Sequence, residues 1–461
     1  MTLDSYIKSL HGKTIAVVGL GVSNRPLLRL LLDAGYAVTV RDRRSAEELG
    51  TEEVKTLQKA GCRLVLGDSY LTGLTEDVIF RTPGLHPFTP ELAAAKNRGA
   101  ILTSEREAFF AVCPCRIVAV TGSDGKTTTT TIISELLKAQ GFHVFLGGNI
   151  GTPLLDKAPE MQPGDWVVLE LSSFQLHSMN CRPDIAVVTN VSPNHLDIHP
   201  SYEDYQTAKK QIFRAQNASN VTVLNADNAI TRTFADECPG TVRVVSRESE
   251  PENGVFLRGG AIFRNCGGRT SELMDAENIR LPGLHNIENY MAAFAATDGI
   301  VSDDVCRTVA ENFCGVAHRL EMIRTLHGVV YCNDSIASSP TRTIAGLHAL
   351  RQKPILIAGG YDKHIPFDTL GDEICRHVKA LFLTGFTAEK IFDAVVRSPL
   401  YDAEKLPVRK IDDFREAVLA ASASANEGDL VLLSPACASF DHFKNFAERG
   451  DTFRAIVNEL E

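Results

Sequence analysis

A chain of 461 residues, 44% apolar and 23% charged, is long enough for about three ordinary domains and apolar enough to bury their cores. Its formal charge of −10, from 57 acidic against 47 basic side chains, excludes broad nucleic-acid binding and leaves small anions to local clusters. The 11 cysteines are scattered and odd in number, Cys113-Pro-Cys115 is too close for a zinc knuckle, and no apolar run spans a bilayer, so a soluble cytoplasmic protein without membrane insertion is expected. The start, Met1-Thr-Leu-Asp-Ser-Tyr, has no basic region followed by an apolar core and so is not read as a signal peptide.

Thr14 to Val18 predicts a strand, and Gly19-Leu-Gly21-Val-Ser-Asn24 opens a helix through Leu27 to Ala34. Val38 to Val40 predicts a second strand that ends at Asp42-Arg43-Arg44. This is the beginning of a dinucleotide fold, with an acid placed to take ribose hydroxyls. Asn24 stands where the third glycine belongs, which argues against close helix–strand packing and leaves nicotinamide and a nucleotide-sugar at similar odds. Val78-Ile79-Phe80 then leads into Arg81-Thr82-Pro83-Gly84, a turn that either lines the same crevice or merely connects.

In the middle of the chain, Ile117 to Val120 predicts a buried parallel strand. Thr128 to Gln140 predicts a helix, with Ile132, Ile133, Leu136 and Leu137 facing a core and Gly141 as the stop. Between them lies Gly122-Ser123-Asp124-Gly125-Lys126-Thr127. Such a turn aims backbone N–H groups inward at a helix start, Lys126 supplies charge for the outer phosphates, and the Thr127 hydroxyl can hold Mg²⁺. This is read as a nucleoside triphosphate site, although Val120 stands where the general Walker pattern has its first glycine.

Gly147-Gly-Asn149-Ile-Gly151 follows the strand Val144 to Leu146 and lets backbone approach a ligand, with the Asn149 amide as donor. Glu170 ends the apolar strand from Trp166. A metal shared with Thr127 would pair it, and a surface-facing side chain is the alternative. Ile185 to Val191 predicts another strand, which delivers His195 and Asp197 to a carboxyl end where α/β sites form. Tyr202 to Ala215 predicts a helix whose Lys209-Lys210 pair reads as a solvated basic face. Gly254 to Phe263 predicts a hairpin, and Asn286 and Asn289 occupy the polar first turn of an alanine-rich helix, facing a base or simply capping.

Towards the end, Val329 to Tyr331, Ile355 to Ala358, Leu381 to Leu383 and Leu430 to Leu433 predict strands with helices between them. Ser339-Pro340 reads as a helix start, serine as cap and proline in the first turn. Alternation of this kind means a doubly wound sheet. The expected class is therefore α/β in three consecutive domains: a Rossmann-like domain at 1–111, a central phosphate-loop ATPase-like sheet at 112–316 and a doubly wound sheet at 317–461.

Several stretches occur in order: Thr121-Gly-Ser-Asp-Gly-Lys-Thr127, Gly147-Gly-Asn-Ile-Gly151, Leu169-Glu-Leu-Ser-Ser-Phe-Gln-Leu176, and Asn190-Val with His195-Leu-Asp197. Ala317-His-Arg319-Leu-Glu321, Asn333-Asp-Ser335 and Leu433-Ser-Pro-Ala-Cys-Ala-Ser439-Phe-Asp-His-Phe-Lys-Asn-Phe446 complete the series. With them the sequence resembles the Mur ligase family of peptidoglycan synthesis over essentially its whole length, nearest the branch that adds D-glutamate.

The resemblance implies an ATP-dependent ligase that joins D-glutamate to UDP-N-acetylmuramoyl-L-alanine through an acyl phosphate, as a cytoplasmic monomer. It implies that Gly122, Ser123, Asp124, Gly125, Lys126, Thr127 and Thr128 hold ATP phosphates, and that Asn286, Asn289, Arg319 and Asp334 engage the nucleotide. Thr127 and Glu170 would hold one Mg²⁺, and His195 and Lys209 a second. Lys209 would act as a carbamate, because an ammonium of ordinary pKa ~10.4 repels a metal. Lys126, His195 and Lys209 are thus the implied catalytic residues. Gly19, Gly21, Asp42, Arg44 and Thr82 match positions around the uridine diphosphate end, Asn149 a donor to the nucleotide-sugar, and Ser338, Lys363, Ser439 and Phe446 positions around the amino acid. Ile336 replaces the lysine of the family's Asn-Asp-Ser-Lys, and Tyr361-Asp362-Lys363 departs from its Asp-Gly-Lys, leaving Tyr361 without a role. The rivals are a related ligase or folylpolyglutamate synthetase, a nicotinamide dehydrogenase, and a nucleotide-binding regulator without catalysis.

Overall fold

The computed structural model describes residues 1–86, 88–193, 199–281, 283–350, 352–362 and 366–461. Among these described residues, three sheets follow one another along the chain, so the three consecutive α/β domains are present.

The first sheet holds β1 (Ile15–Val18), β2 (Val38–Asp42), β3 (Arg63–Leu66), β4 (Val78–Arg81) and β5 (Ile101–Thr103), all parallel, in the order β3-β2-β1-β4-β5. The order reverses at β1 and β4, where a crevice opens beyond the strand ends. Helix α1 (Asn24–Asp33) buries Leu27, Leu28 and Leu31, a three-and-four spacing that lays one apolar stripe on the sheet. Asn24 does not loosen this packing. It is buried, and its Nδ2 donates to Gly19 O at 2.8 Å and Val18 O at 3.2 Å, so an amide ties α1 to the loop where a third glycine would only have let it approach.

The central sheet runs β14-β13-β12-β11-β10-β9-β6-β8-β7. Its strands are β6 (Arg116–Thr121), β7 (Val144–Gly148), β8 (Trp166–Glu170), β9 (Ile185–Val188), β10 (Val221–Asn225), β11 (Thr241–Ser246), β12 (Asn253–Arg258), β13 (Ala261–Cys266) and β14 (Arg269–Asp275). Strands β7 to β12 are parallel, and β12, β13 and β14 pair antiparallel, the first two as the expected hairpin. Helix α2 (Lys126–Ala139) begins two residues before the expected Thr128 and fully buries Ile132, Ile133, Leu136 and Leu137. Helix α3 is Tyr202–Arg214 and α4 is Leu284–Thr297. The alanines of α4 are buried, as small side chains must be where a helix lies flat on a sheet and against α2.

The third sheet holds β15 (Glu321–Leu326), β16 (Val329–Asn333), β17 (Ile355–Ala358), β18 (Ala380–Leu383), β19 (Val408–Lys410) and β20 (Leu430–Leu433) in the order β15-β16-β20-β17-β18-β19. It is parallel apart from the antiparallel edge pair β15–β16. Ser339 does take the N-cap place of the helix Pro340–Ala349, but its hydroxyl makes no capping hydrogen bond and lies 3.2 Å from Thr341 Oγ1 instead. The last helix, α5 (Phe446–Glu459), is capped by Asn445, which accepts from Glu448 N–H.

The chain divides into two compact units, Met1–Phe313 and Cys314–Glu461. In the first, one core runs through Leu27, Phe80, Phe109, Leu155, Leu171 and Tyr205 and so joins the first sheet to the central one. The second unit has its own cores on the two faces of its sheet. No helix among the described residues is long and apolar enough to cross a membrane.

Candidate active site

The turn between β6 and α2 is a cradle that tolerates no side chain at two positions. Gly122 has φ +153°, and a Cβ there would lie 1.9 Å from Thr189 Oγ1. Gly125 has φ +75°, and its Cβ would lie 2.3 Å from Asn289 Oδ1. Neighbouring strands pin the backbone between them. Asp124 N–H donates to Asn190 Oδ1 at 2.9 Å, and Thr189 Oγ1 donates to Asp124 O at 2.6 Å. Ser123 Oγ, buried, donates to Ser192 O at 3.0 Å and lies 2.9 Å from the Tyr205 hydroxyl. Gly125 occupies the N-cap position of α2 and gives it no side-chain cap, so the amides of the first turn stay available to an anion. Lys126 folds back over the turn, its Nζ donating to Gly122 O at 2.9 Å and Ser123 O at 2.8 Å. Thr128 is half-buried on the first turn of α2.

Thr127 Oγ1 donates to Glu170 Oε2 at 2.7 Å, and Asn149 Nδ2 donates to Glu170 Oε1 at 2.8 Å. Glu170 is 2% exposed, and both of these partners are neutral. A carboxylate buried without a counter-charge is costly, and a divalent cation beside the threonine hydroxyl relieves that cost. Thr127 and Glu170 therefore fit Mg²⁺. The surface-facing reading of Glu170 does not hold. Asn149 spends its amide on Glu170, orienting the acid. The cradle continues into α4: Thr129 Oγ1 donates to Asn289 Oδ1 at 3.2 Å, and Asn289 Nδ2 to Asn286 Oδ1 at 3.1 Å. Both asparagines are buried beside the glycine turn, tied to it through Thr129.

Lys209 is not part of a solvated face. It is 1% exposed, packed over the Tyr205 ring at 4.4 Å, and its Nζ donates to Gly122 O at 2.6 Å. Burial first, and then the charge of Lys126, push its pKa well below the ordinary lysine value against the opposing pull of Asp124. Helix periodicity explains the difference from the sequence expectation: Tyr205, Ala208, Lys209 and Ile212 share the buried face of α3, while Lys210 turns to an ion pair with Glu237. His195 and Asp197 lie outside the described residues, as does Lys363.

At the first sheet, Gly19 has φ +84°, and a Cβ there would meet Thr82 Cγ2 at 2.7 Å; Gly21 lies against the Thr82 hydroxyl. Thr82 thus faces the glycine turn, as crevice lining requires. Asp42 Oδ2 accepts from Leu20 N–H at 2.7 Å, and its oxygens also accept from Arg44 N–H, Nε and Nη2 at 2.9–3.0 Å. Burial works to raise the Asp42 carboxyl, but the Arg44 and Leu20 hydrogen bonds outweigh it and hold the pKa below the usual value. Asp42 here fixes the loop and aims Arg44, whose side chain is 43% exposed, at the crevice mouth.

In the second unit, Asp334 directly follows β16, buried, accepting from Ser434 Oγ at 2.7 Å and Leu320 N–H at 3.3 Å. Burial pushes its carboxyl up to about 6 against those bonds and the charges of Arg319 and Arg342. Ser439 is buried and Phe446 half-exposed at the start of α5; Ser338 N–H donates to Ile336 O at 2.8 Å. Tyr361 has a structural place after all. Its N–H donates to Ala438 O at 2.9 Å, and its ring meets the exposed Phe440 edge-on at 5.9 Å. Sequence reasoning gave no loop-holding role to three residues that the structure shows in one: Tyr205, Arg81 and Arg449. Tyr205 is signalled by its four-residue offset from Lys209, whereas the two arginines carry no local signal because their partners are distant in sequence.

Known proteins match this chain throughout. Residues 13–104 match the Mur ligase MurD-like N-terminal domain, 120–297 the Mur ligase middle domain, and 318–437 the Mur ligase glutamate ligase domain. The UDP-N-acetylmuramoylalanine–D-glutamate ligase of Acetivibrio thermocellus is 49% identical over 100% of this chain and 99% of that protein. The ligase of the same description from Clostridium acetobutylicum is 46% identical over 99% of each. Among solved structures, the UDP-N-acetylmuramate–alanine ligase of Thermotoga maritima shares the fold at TM-score 0.52 and 17% identity, covering 97% of this chain and 99% of that one. With a glycine cradle, a threonine–glutamate pair and full-length relatives at nearly half identity, the chain belongs to the Mur ligase family.

Proposed function

We propose that this protein is an ATP-dependent amide ligase that joins D-glutamate to UDP-N-acetylmuramoyl-L-alanine in cytoplasmic peptidoglycan precursor synthesis, acting as a monomer. The observation that carries the reading is the side-chain-free cradle of Gly122 and Gly125 at the uncapped start of α2, with Lys126 folded over it. The relatives described as D-glutamate ligases, aligned end to end, support the choice of substrates.

In this reading residues 1–111 receive the uridine diphosphate end through Gly19, Gly21, Asp42, Arg44 and Thr82, and the second N–H of the Asn149 amide, the first being on Glu170, is the donor to the nucleotide-sugar. Residues 112–316 hold ATP. Residues 317–461 contribute Arg319 and Asp334 to the nucleotide and Ser338, Lys363, Ser439 and Phe446 to D-glutamate. The alanyl carboxylate attacks the γ-phosphorus in line, the bond to the β-phosphate oxygen breaks, and ADP leaves an acyl phosphate behind; Lys126 spreads the charge of the transferring phosphoryl, so catalysis is positioning and electrostatics. The amine of D-glutamate then attacks the acyl carbon and phosphate leaves. Thr127 and Glu170 would hold one Mg²⁺, and His195 with Lys209 a second; the metal supplies charge neutralisation at the phosphates. The dry setting of Lys209 supports its carbamylation, since only the neutral amine can add CO₂ and burial favours that form.

The test offers ATP, Mg²⁺ and UDP-N-acetylmuramoyl-L-alanine with one amino acid at a time. Phosphate release is expected with D-glutamate alone. Release with L-lysine or diaminopimelate but not D-glutamate would overturn the substrate assignment, and no release with any of them would overturn the ligase reading.

A further inference from the structure

Where the turn after β4 meets the short helix Ser173–Leu176 and the start of α3, His86, His177 and Asp204 come together. None of them belongs to the set expected to hold Mg²⁺. One ligand atom from each lies within 4.8 Å of the other two. The His177 side chain is 5% exposed, and its Nε2 lies 2.9 Å from Asp204 Oδ2. His199, buried, sets its Nδ1 2.7 Å from the same oxygen and its Nε2 3.0 Å from Ser173 Oγ. Asp204 is thus aimed by a histidine that is itself held, the kind of outer support that orients metal ligands.

The cluster is incomplete as it stands. Among the described residues, His86 Nε2 is buried without a hydrogen-bond partner, as is His177 Nδ1, the ring nitrogen on the side away from Asp204. Buried ring nitrogens normally have one, and the His86 orphan beside the His177–Asp204 pair calls for a ligand. Phe88, itself largely exposed, packs edge-on against His177 with the ring centroids 4.9 Å apart.

We propose that His86, His177 and Asp204 bind one borderline divalent cation of the Zn²⁺ class, clipping the turn after β4 to the central sheet. Two imidazoles and a carboxylate suit Zn²⁺ or Co²⁺, whereas Mg²⁺ prefers oxygen donors alone. Bonds of 2.0–2.2 Å place tetrahedral donors about 3.4 Å apart, so the wider gaps close by at most about 1.4 Å and the His177–Asp204 contact opens by about 0.5 Å, within reach of side-chain rotation. Capture at His86 Nε2 leaves the ring proton on Nδ1 and gives up only the long contact from Phe88 N–H at 3.3 Å. A fourth position is left for water. His86 stands four residues after Thr82 on the same turn, so occupancy would stiffen the segment assigned to the nucleotide-sugar. That consequence rests on the proposed function; the site does not.

The test titrates Co²⁺ into the metal-stripped full chain with excess Mg²⁺ present and reads the visible ligand-field absorption. One equivalent should bind with a visible band that Zn²⁺ abolishes. His86→Gln should weaken binding by ~10-fold or more, since loss of mere outer partners already costs ~10–100-fold. His348→Gln, which breaks the other histidine–carboxylate group among the described residues (His348, Glu373, His377), should leave the band unchanged. A native chain without the band, a band unaltered in His86→Gln, or one lost in His348→Gln would each overturn the site. His86 lies on a surface turn, so its variant decides the matter even if His177→Gln does not fold. Because the readout is binding, it stands apart from any failure of ligase activity.

Discussion

Asp334 gives the second unit a pH dependence whose sign can be worked out. Burial raises its folded pKa to about 6, from 3.8 for an unperturbed aspartate. The folded state therefore holds the proton more tightly, and the favourable contribution is full below the unfolded pKa and is lost as pH rises through about 6. The difference amounts to roughly 3 kcal/mol. Asp334→Asn should keep the acceptor for Ser434 while removing the buried charge. Thermal unfolding is expected to show a higher melting temperature for the variant above pH 7 and a flatter profile between pH 4 and 6, with ATP turnover reduced. Gly125→Ala tests the cradle at the same scale. Positive φ costs a non-glycine residue about 1–2 kcal/mol, and the new methyl drives Asn289 off its place. Initial-rate kinetics should show KM for ATP rising about tenfold, as expected for about 1.4 kcal/mol of lost binding. Lys209→Arg keeps a cation but cannot form a carbamate. Its kcat should fall by about 10²–10³, the cost of removing one preorganised electrostatic group.

At the scale of elements, α5 is the strut of the second unit because Arg449 reaches inward from its first turns. The guanidinium is 2% exposed and donates to Ser335 Oγ, Ser335 O, Cys437 O and Ala438 O at 2.9–3.0 Å. Ser335 Oγ passes the restraint on to Phe446 O at 2.7 Å. One side chain so joins the loops after β16 and β20 to the start of α5, the loops that carry Ser338, Ser439 and Phe446. Arg449→Met should lower stability by about 2–4 kcal/mol through stranded buried carbonyls, measured by denaturant unfolding. The strands themselves were legible as short β-branched runs, and α2 as apolar residues at helical spacing after a glycine turn, because these signals are local. The Lys209-Lys210 pair was misleading for the same reason: adjacent lysines look alike until the burial of Tyr205 and Ile212 decides which of them faces inward. Arg81, Arg449 and the histidines around Asp204 owe their places to contacts across many residues, and single-sequence patterns hold no trace of those.

For the whole molecule, two compact units meet the three domains read from the sequence because a shared core fuses the first two sheets. Cys314–Glu461, with apolar cores on both faces of its sheet, is expected to fold when produced alone and to melt cooperatively in calorimetry. The order of domains and the glycine turn between β6 and α2 were readable from motifs. How tightly the first two are joined was not, since no motif encodes an interface.

Arg81 belongs to β4, yet its guanidinium donates to Ser178 Oγ at 2.5 Å and Phe174 O at 3.4 Å beside β8, as well as to Leu85 O at 2.9 Å on its own turn. A graft that places residues 1–111 of this chain on a relative therefore brings an arginine that needs a hydroxyl in the host, and a recipient without a serine at the place of Ser178 would strand it. Anyone building hybrids of these ligases to alter the nucleotide-sugar they accept should cut the gene after Phe313, and transplant the two leading sheets as a single cassette.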